Sequence, residues 1–179
     1  ESPDEQVGYT IYAALQTIHF ANPLLAEDAR RRQQAGAGFC MQREPLDLPG
    51  YVAQLLIPRY HPQARVLRVE PAPQLQQSVR EQIAQLRLPP NMRVNGDAAE
   101  VVIGYAVNGK PVEEHIYVIG GWRGESAFGQ PSADVIYSTY TPIFGLRVPA
   151  GQFARHKQQF TDIIASTRAN THYYAAIID

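Results

Sequence analysis

The sequence predicts a single α+β domain in which a mostly antiparallel β-sheet is flanked by helices, as in an α/β/α sandwich. Its 179 residues and 45% hydrophobic content suit one domain with a buried core. The segments on either side of Asn108-Gly109 predict a strand hairpin, and two amphipathic segments predict helices. Because hairpins dominate over strand–helix–strand crossovers in this order of elements, we expect antiparallel pairing.

The N-terminal region predicts a tether, an apolar segment that could be a helix or a strand, and a helix. Residues 1–7 are mostly polar and acidic, which is typical of a flexible tether, so the domain itself is expected to span 8–179. The apolar segment 9–20 fits a helix or a strand equally well. Asn22 predicts a helix N-cap, and Gly36 predicts the end of that helix.

The middle of the chain predicts two strands and an amphipathic helix. The apolar run 51–57 indicates a buried strand, and 64–69 indicates a second strand. A helix is expected over 74–88, between prolines at both ends. Its apolar stripe consists of Leu75, Val79, Ile83 and Leu86.

The strongest local signal is the hairpin formed by 100–107 and 110–119. Asn-Gly is preferred in type I′ turns because both residues tolerate positive φ. A two-residue loop places four pairs opposite one another: Val107 and Lys110, Tyr105 and Val112, Ile103 and Glu114, and Val101 and Ile116.

The C-terminal part predicts a Gly-rich loop over 120–131, a strand over 134–141 and a helix after Gly151. The apolar stripe of this helix comprises Phe153, His156, Phe160, Ile163, Ile164 and Thr167. Residues 172–179 form a short apolar tail, for which a last strand is one interpretation.

The segment Phe-Gly-Leu-Arg-Val-Pro at 144–149, together with the helix after it, carries a family resemblance. The helix contributes Phe153, Phe160, Ile163, Ile164 and Ser166-Thr167-Arg168. This last quarter of the chain resembles the final strand and helix of PsbP/Mog1-like modules. The resemblance implies an antiparallel sheet between helices, an architecture that bacterial secreted proteins and lipoproteins use. It supplies no catalytic residues, and the helix at 74–88 fits it less well.

Composition excludes several classes of protein. A formal net charge of -1 argues against a nucleic-acid partner, since such binding needs many cationic contacts. No apolar run approaches the roughly 18 residues of a transmembrane segment. A single cysteine, Cys40, excludes an internal disulfide framework, and its place between Phe39 and Met41 favours a small buried side chain over a nucleophile. We expect no cofactor and no metal.

The start of the sequence at Glu1, with Met41 as the first methionine, indicates an extracytoplasmic location. Removal of an export signal, with a lipid anchor upstream, is one explanation of such a start; a boundary inside a longer protein is another. Lys110 and Lys157 are the only lysines among 16 basic residues, which is typical of a GC-rich bacterial genome. The chain is therefore expected to be a periplasmic or secreted bacterial protein.

Glu113, His115 and Tyr117 form the most suggestive polar set. On a strand these three side chains share one face, whereas Glu114 points to the other face with Ile116 and Val118. Glutamate and histidine two residues apart could provide two metal ligands or orient a base. We favour instead a solvated strand face with Gly104 and Val102 as cross-strand partners.

Tyr137 and Thr139 are the remaining candidate binding residues. They lie on a predicted strand whose two faces are both semi-polar and aromatic, which is compatible with the wall of a binding groove or with an edge strand facing water.

Three functions follow as hypotheses. The first is a non-enzymatic extracytoplasmic module that binds a protein or an envelope component. The second is a small hydrolase or metal-dependent enzyme that uses Glu113 and His115. The third is a small-ligand carrier with a pocket between the sheet and the loop at 120–130.

Overall fold

The strands form one sheet in the part of the chain that a computed structural model describes, which is residues 6–36, 40–42, 44–126 and 134–166. They are β1 (Gly8–Thr10), β2 (Leu15–Phe20), β3 (Cys40–Gln42), β4 (Arg65–Pro71), β5 (Met92–Val107), β6 (Lys110–Glu125) and β7 (Val135–Pro149). The order across the sheet is β3-β2-β7-β6-β5-β4, and β1 also pairs with β7. Among these strands only β2 and β3 pair in parallel, so the predicted α+β class with a mostly antiparallel sheet is confirmed.

Helices connect and cover these strands. They are α1 (Pro23–Gln34), α2 (Leu48–Tyr51), α3 (Ile57–Tyr60), α4 (Pro73–Ala84) and α5 (Phe153–Ser166). A π-helical turn, Val52–Leu56, joins α2 to α3, so that 48–60 is one helical segment. In the described residues, no helix has the length and apolar character needed to cross a membrane.

The N-terminal region resolves into two strands and the expected helix. The apolar segment 9–20, which fits a helix or a strand equally well, contributes to β1 and forms β2. Both strands pair with the same edge of β7. Gln6 is buried and Val7 packs against the apolar cluster beneath α5, so the last two residues of the predicted tether contact the domain. The Asn22 side chain accepts a hydrogen bond from the backbone N–H of Leu24 and caps α1, as predicted.

The predicted hairpin is confirmed, including its register. Asn108 and Gly109 both have positive φ, 51° and 76°, and all four predicted cross-strand pairs are present. The strands are longer than expected, because β6 continues through the segment assigned to a Gly-rich loop. Backbone pairing of Gly120 and Gly121 with both neighbouring strands makes them part of the sheet. The prediction of a loop from residue 120 was therefore wrong over 120–125.

The predicted strand at 51–57 was also wrong, since this segment is helical. Its buried residues Leu48, Tyr51, Val52 and Leu56 recur at spacings of three and four, which is the period of a helix. The helix begins with Asp47, whose side chain accepts a hydrogen bond from the Gly50 N–H. Pro49 lies in the first turn of the segment, where N–H groups need no intrahelical partner. Pro58, which has no N–H, directly follows the π-helical turn.

Two further predicted elements differ in extent. The helix expected over 74–88 ends at Ala84, and Leu86 beyond it is exposed. The strand expected over 134–141 continues to Pro149 as β7. The apolar tail at 172–179 lies outside the described residues.

Helices cover both faces of the sheet. On one face, called here the α2–α3 face, Leu48, Tyr51 and Leu56 pack against side chains of β5 and β6. On the other, called the α5 face, Phe153 and Phe160 pack with residues of β6 and β7. Alternate residues of the central strands therefore belong to two different cores.

An irregularity in β7 shifts its register within the sheet. Tyr117 pairs with Phe144, but the next residue, Val118, pairs with Pro142, so β7 contains one extra residue at this point. On one side of the bulge Tyr140 is buried on the α2–α3 face, and on the other side Leu146 is buried on the α5 face.

We predict that the Asp47 cap stabilises the helical segment 48–60. Asp47→Ala should lower the free energy of unfolding by about 0.5–2 kcal/mol, because the first helical turn loses its acceptor. Asp47→Asn is the matched control and should lie close to wild type, since its amide oxygen can accept the same bond. Chemical denaturation of the three proteins measures the difference, and equal losses in both variants would contradict the assignment.

Candidate functional site

The candidate site is built around a carboxylate that is wholly buried on the α2–α3 face. Glu114 lies on β6 with a relative exposure of 0%, on the same face as Ile116 and Val118. Withdrawing a carboxylate from water costs several kcal/mol unless hydrogen bonds replace the lost hydration. Its partners therefore decide whether this part of the sheet can be stable.

Two tyrosine hydroxyls provide the main hydrogen bonds. Tyr12, in the segment between β1 and β2, donates to Oε1 of Glu114 at 2.5 Å. Tyr105, on the neighbouring strand β5, donates to Oε2 at 2.5 Å. Each carboxylate oxygen thus has a donor from a different part of the chain, and hydrogen bonds to a charged group are among the stronger ones in proteins.

His61 joins the cluster at the end of α3. Its Nε2 lies 2.6 Å from the Tyr12 hydroxyl and 3.5 Å from Oε2 of Glu114. The imidazole also lies against the Tyr105 ring, with centroids 4.7 Å apart. The His61 side chain is 15% exposed, so one edge of a largely buried cluster reaches the surface.

Arg147 completes the cluster, and two glycines make room for it and for Glu114. Arg147 lies opposite Glu114 on β7 and hydrogen-bonds the Tyr105 side chain. A Cβ atom at Gly8 would lie 2.8 Å from the Arg147 guanidinium. A Cβ atom at Gly145 would overlap the Glu114 carboxylate. The backbone around the cluster is therefore matched to these two side chains.

Burial keeps Tyr12, Tyr105 and His61 in one protonation state near neutral pH. It raises the pKa of Tyr12 and Tyr105 far above the ordinary value, and the nearby Glu114 charge raises both pKa values further. Burial also lowers the pKa of His61 below 6.5, although Glu114 opposes this shift. Both hydroxyls consequently remain donors, and His61 is neutral at pH 7.

A pocket of about 260 Å³ opens beside the cluster. Its lining consists of His61, Pro62, Gln63, Ala64, Tyr105 and Ala106. Two of these residues, His61 and Tyr105, belong to the Glu114 cluster, where hydrogen bonds to Tyr12 and Glu114 hold their side chains in position. The lining contains no carboxylate, lysine or arginine.

The residues predicted to form a site, Glu113, His115 and Tyr117, lie on the opposite α5 face. Their alternation with Glu114 is as predicted, and Gly104 and Val102 are the cross-strand partners. The expected solvated face is wrong for His115, which is 2% exposed. The first residue of α5, Phe153, stacks on its imidazole with centroids 3.5 Å apart.

The His115 imidazole lies between two carboxylates. Its Nδ1 is 2.5 Å from Oε1 of Glu100, and its Nε2 is 3.6 Å from Oε1 of Glu113. The His115 contact lowers the pKa of Glu100, whereas burial and the Glu100 charge raise the pKa of Tyr117 to about 12. Phe153 stacks on His115 at the centre of this set, whereas Glu100 and Glu113 are half-buried.

Tyr137 and Thr139 lie far along the sheet from His115. Tyr137 pairs with Arg123, whose guanidinium lies 4.7 Å from the Tyr137 ring centroid, and Thr139 pairs with Gly121. The structure therefore does not bring the five predicted site residues together. Throughout the described residues, no three His, Cys, Asp or Glu side chains are grouped so as to hold a metal ion.

The sequence contained part of the signal for the Glu114 cluster. Alternation placed Glu114 on the face of Ile116 and Val118, and an acidic residue on an apolar face needs partners. The hairpin register also places Tyr105 diagonally across from Glu114. No local pattern indicated His61, because it reaches the cluster from a segment predicted as a strand with a following turn.

Comparisons with known proteins identify no relative, so the candidate site is argued from its own residues. No protein-family model matches the sequence, and no significant match is found among curated proteins or solved structures.

We predict that Gly145→Ala disturbs the Glu114 cluster. The added methyl group would overlap the carboxylate and lie 2.8 Å from the Tyr12 ring, so the free energy of unfolding should fall by about 1–3 kcal/mol. Gly121→Ala is the matched control, because a Cβ atom there meets nothing within 4 Å. Its change should stay under about 0.5 kcal/mol in the same denaturation experiment. Equal effects would show that Gly145 is not specifically required.

We predict that Glu100 stabilises the α5 face in a pH-dependent way. Glu100→Gln should lower the free energy of unfolding by about 1–3 kcal/mol at pH 7, because the bond to His115 loses its charge. Since folding lowers the Glu100 pKa, its contribution is full above the unfolded value of about 4.3 and is lost as pH falls through the folded value.

Denaturation of wild type and Glu100→Gln across this pH range measures the contribution of Glu100. Glu44→Gln, at an exposed position, is the control and should differ from wild type by less than about 0.5 kcal/mol. A stability difference between wild type and Glu100→Gln that does not shrink in acid would argue against the pair.

Proposed function

We propose that the protein is a non-enzymatic binding module whose binding site is the pocket lined by His61 and Tyr105. The observation that carries the proposal is the contact of this pocket with the Glu114 cluster. Binding sites are favoured where a concavity is lined by rings already held in position by hydrogen bonds, since little ordering is needed when a ligand arrives. The bound group is part of a protein or of an envelope component.

The arrangement supports binding more than chemistry at Glu114. The carboxylate is fully buried and both of its oxygens accept from tyrosines, so a ligand in the pocket meets the rings and not the charge. The role of Glu114 in this proposal is to position Tyr105 and Tyr12. A saturated buried network of this kind makes the surrounding structure rigid.

The lining also defines the type of group that fits. It combines two rings, a proline, two alanines and one amide side chain. An uncharged group with an apolar surface is the best match, because no formal charge in the lining would compensate an ion. This pocket lies beside Tyr105 of β5, away from Gly120 and Gly121 in the described part of the segment for which a carrier pocket is predicted. The extracytoplasmic location and the PsbP/Mog1-like resemblance stay predictions, and the proposal does not depend on them.

Titration of the ¹⁵N-labelled protein with three uncharged probes tests the proposal. Anisole, N-acetylglucosamine and N-acetyl-prolinamide represent an aromatic group, a sugar and a peptide group. At least one should shift the backbone amide signals of Gln63, Ala64 and Ala106 in a saturable way. Ala64→Trp should abolish these shifts by filling the pocket.

Ala84→Trp is the matched control, since Ala84 is exposed at the end of α4 and does not line the pocket. It should bind the probe as wild type does. The proposal fails if none of the probes shifts the pocket signals, or if the shifts persist unchanged in Ala64→Trp.

A further inference from the structure

The hydrogen bonds around Tyr12 determine where the proton of His61 lies. The Tyr12 hydroxyl carries one proton and contacts both Glu114 and Nε2 of His61, at 2.5 and 2.6 Å. Tyr12 donates its proton to Oε1 of Glu114. The bond between Tyr12 and His61 must then be donated by Nε2–H of His61.

A neutral imidazole has only one N–H. If that proton is on Nε2, then Nδ1 carries a lone pair and is an acceptor. Nε2 is directed into the cluster, whereas the His61 ring lines the pocket. The chain from His61 through Tyr12 to Glu114 therefore leaves Nδ1 as the acceptor atom of a ring that lines the pocket.

We propose that the Nδ1 lone pair of His61 selects ligands with an uncharged N–H or O–H donor. This inference rests on the proposed function and specifies the chemistry that the pocket recognises. Tyr105 contributes its ring but not its hydroxyl proton, because that proton is donated to Glu114. His61 offers a ring nitrogen that can accept from the ligand.

The same arrangement makes recognition pH-dependent. His61 is faced by Tyr12 from the β1–β2 segment, Tyr105 from β5, Glu114 from β6 and Arg147 from β7. Protonation of Nδ1 would replace the acceptor by a donor. Because burial and Arg147 lower the His61 pKa while Glu114 raises it, and the net shift is downward, donor recognition is present at pH 7 and lost in acid.

Phenol and anisole provide the test, because they have the same ring and differ in the O–H donor. In amide-shift titrations at pH 7, phenol should bind about two- to tenfold more tightly than anisole, as expected for one hydrogen bond. His61→Phe should bind both probes equally, since it keeps a ring and removes the acceptor. Long-range ¹H–¹⁵N correlation of the wild-type imidazole should place the proton on Nε2.

Each outcome separates this inference from the proposed function. If anisole binds in the pocket as tightly as phenol, donor selection is wrong and the pocket assignment stands. If neither probe nor the sugar or peptide group binds, the proposed function fails and this inference fails with it. A proton on Nδ1 at neutral pH overturns the inference without any variant, and so does a preference for phenol that persists in His61→Phe.

Discussion

The burial of the Glu114 carboxylate is the constraint on which much of this structure depends. Its position is set by β6, but the groups that make its burial tolerable come from the β1–β2 segment, the end of α3, β5 and β7. Such a network is costly when incomplete, since an unpaired buried charge destabilises a fold by several kcal/mol. The cluster therefore links elements that are remote in sequence and favours one arrangement of them.

The two faces of β6 carry two histidine–carboxylate pairs with opposite relations to solvent. On the α5 face, Phe153 covers His115, and the polar set serves the packing of that helix. On the α2–α3 face, His61 lies at the margin of its cluster and lines a pocket. Similar chemistry has thus become a core contact in one case and a surface acceptor in the other. The difference lies in what covers the imidazole.

The parts of the fold that depend on local chemistry could be predicted from the sequence. The hairpin follows from Asn108-Gly109, and the start of α1 follows from its Asn22 cap. The segment 48–60 was misassigned because a short apolar run has no clear period, and its helical spacing becomes visible only when Leu48 is included. The helix is stabilised by packing on the sheet, which is a tertiary effect.

Only the part of the candidate site that lies within the β5–β6 hairpin could be predicted, because the register of the hairpin follows from its sequence. Alternation and pairing placed Glu114 near Tyr105, two residues of one hairpin. Tyr12 and His61 are 102 and 53 positions from Glu114 along the chain, and they come close to it only when the whole sheet and its helices have assembled. By contrast, Glu113 and His115 attracted attention because they lie two residues apart in a familiar combination, and Phe153 of α5 stacks on His115.

The extra residue in β7 has a consequence for how this strand can be interpreted. In a regular strand, residues an even number apart belong to the same side, yet Tyr140 and Leu146 are buried on opposite sides. The extra residue therefore reverses, halfway along the strand, which face the even-numbered side chains point to. Even-numbered side chains of one strand therefore enter two separate apolar cores. The sequence of each half of β7 is constrained by packing in a different core.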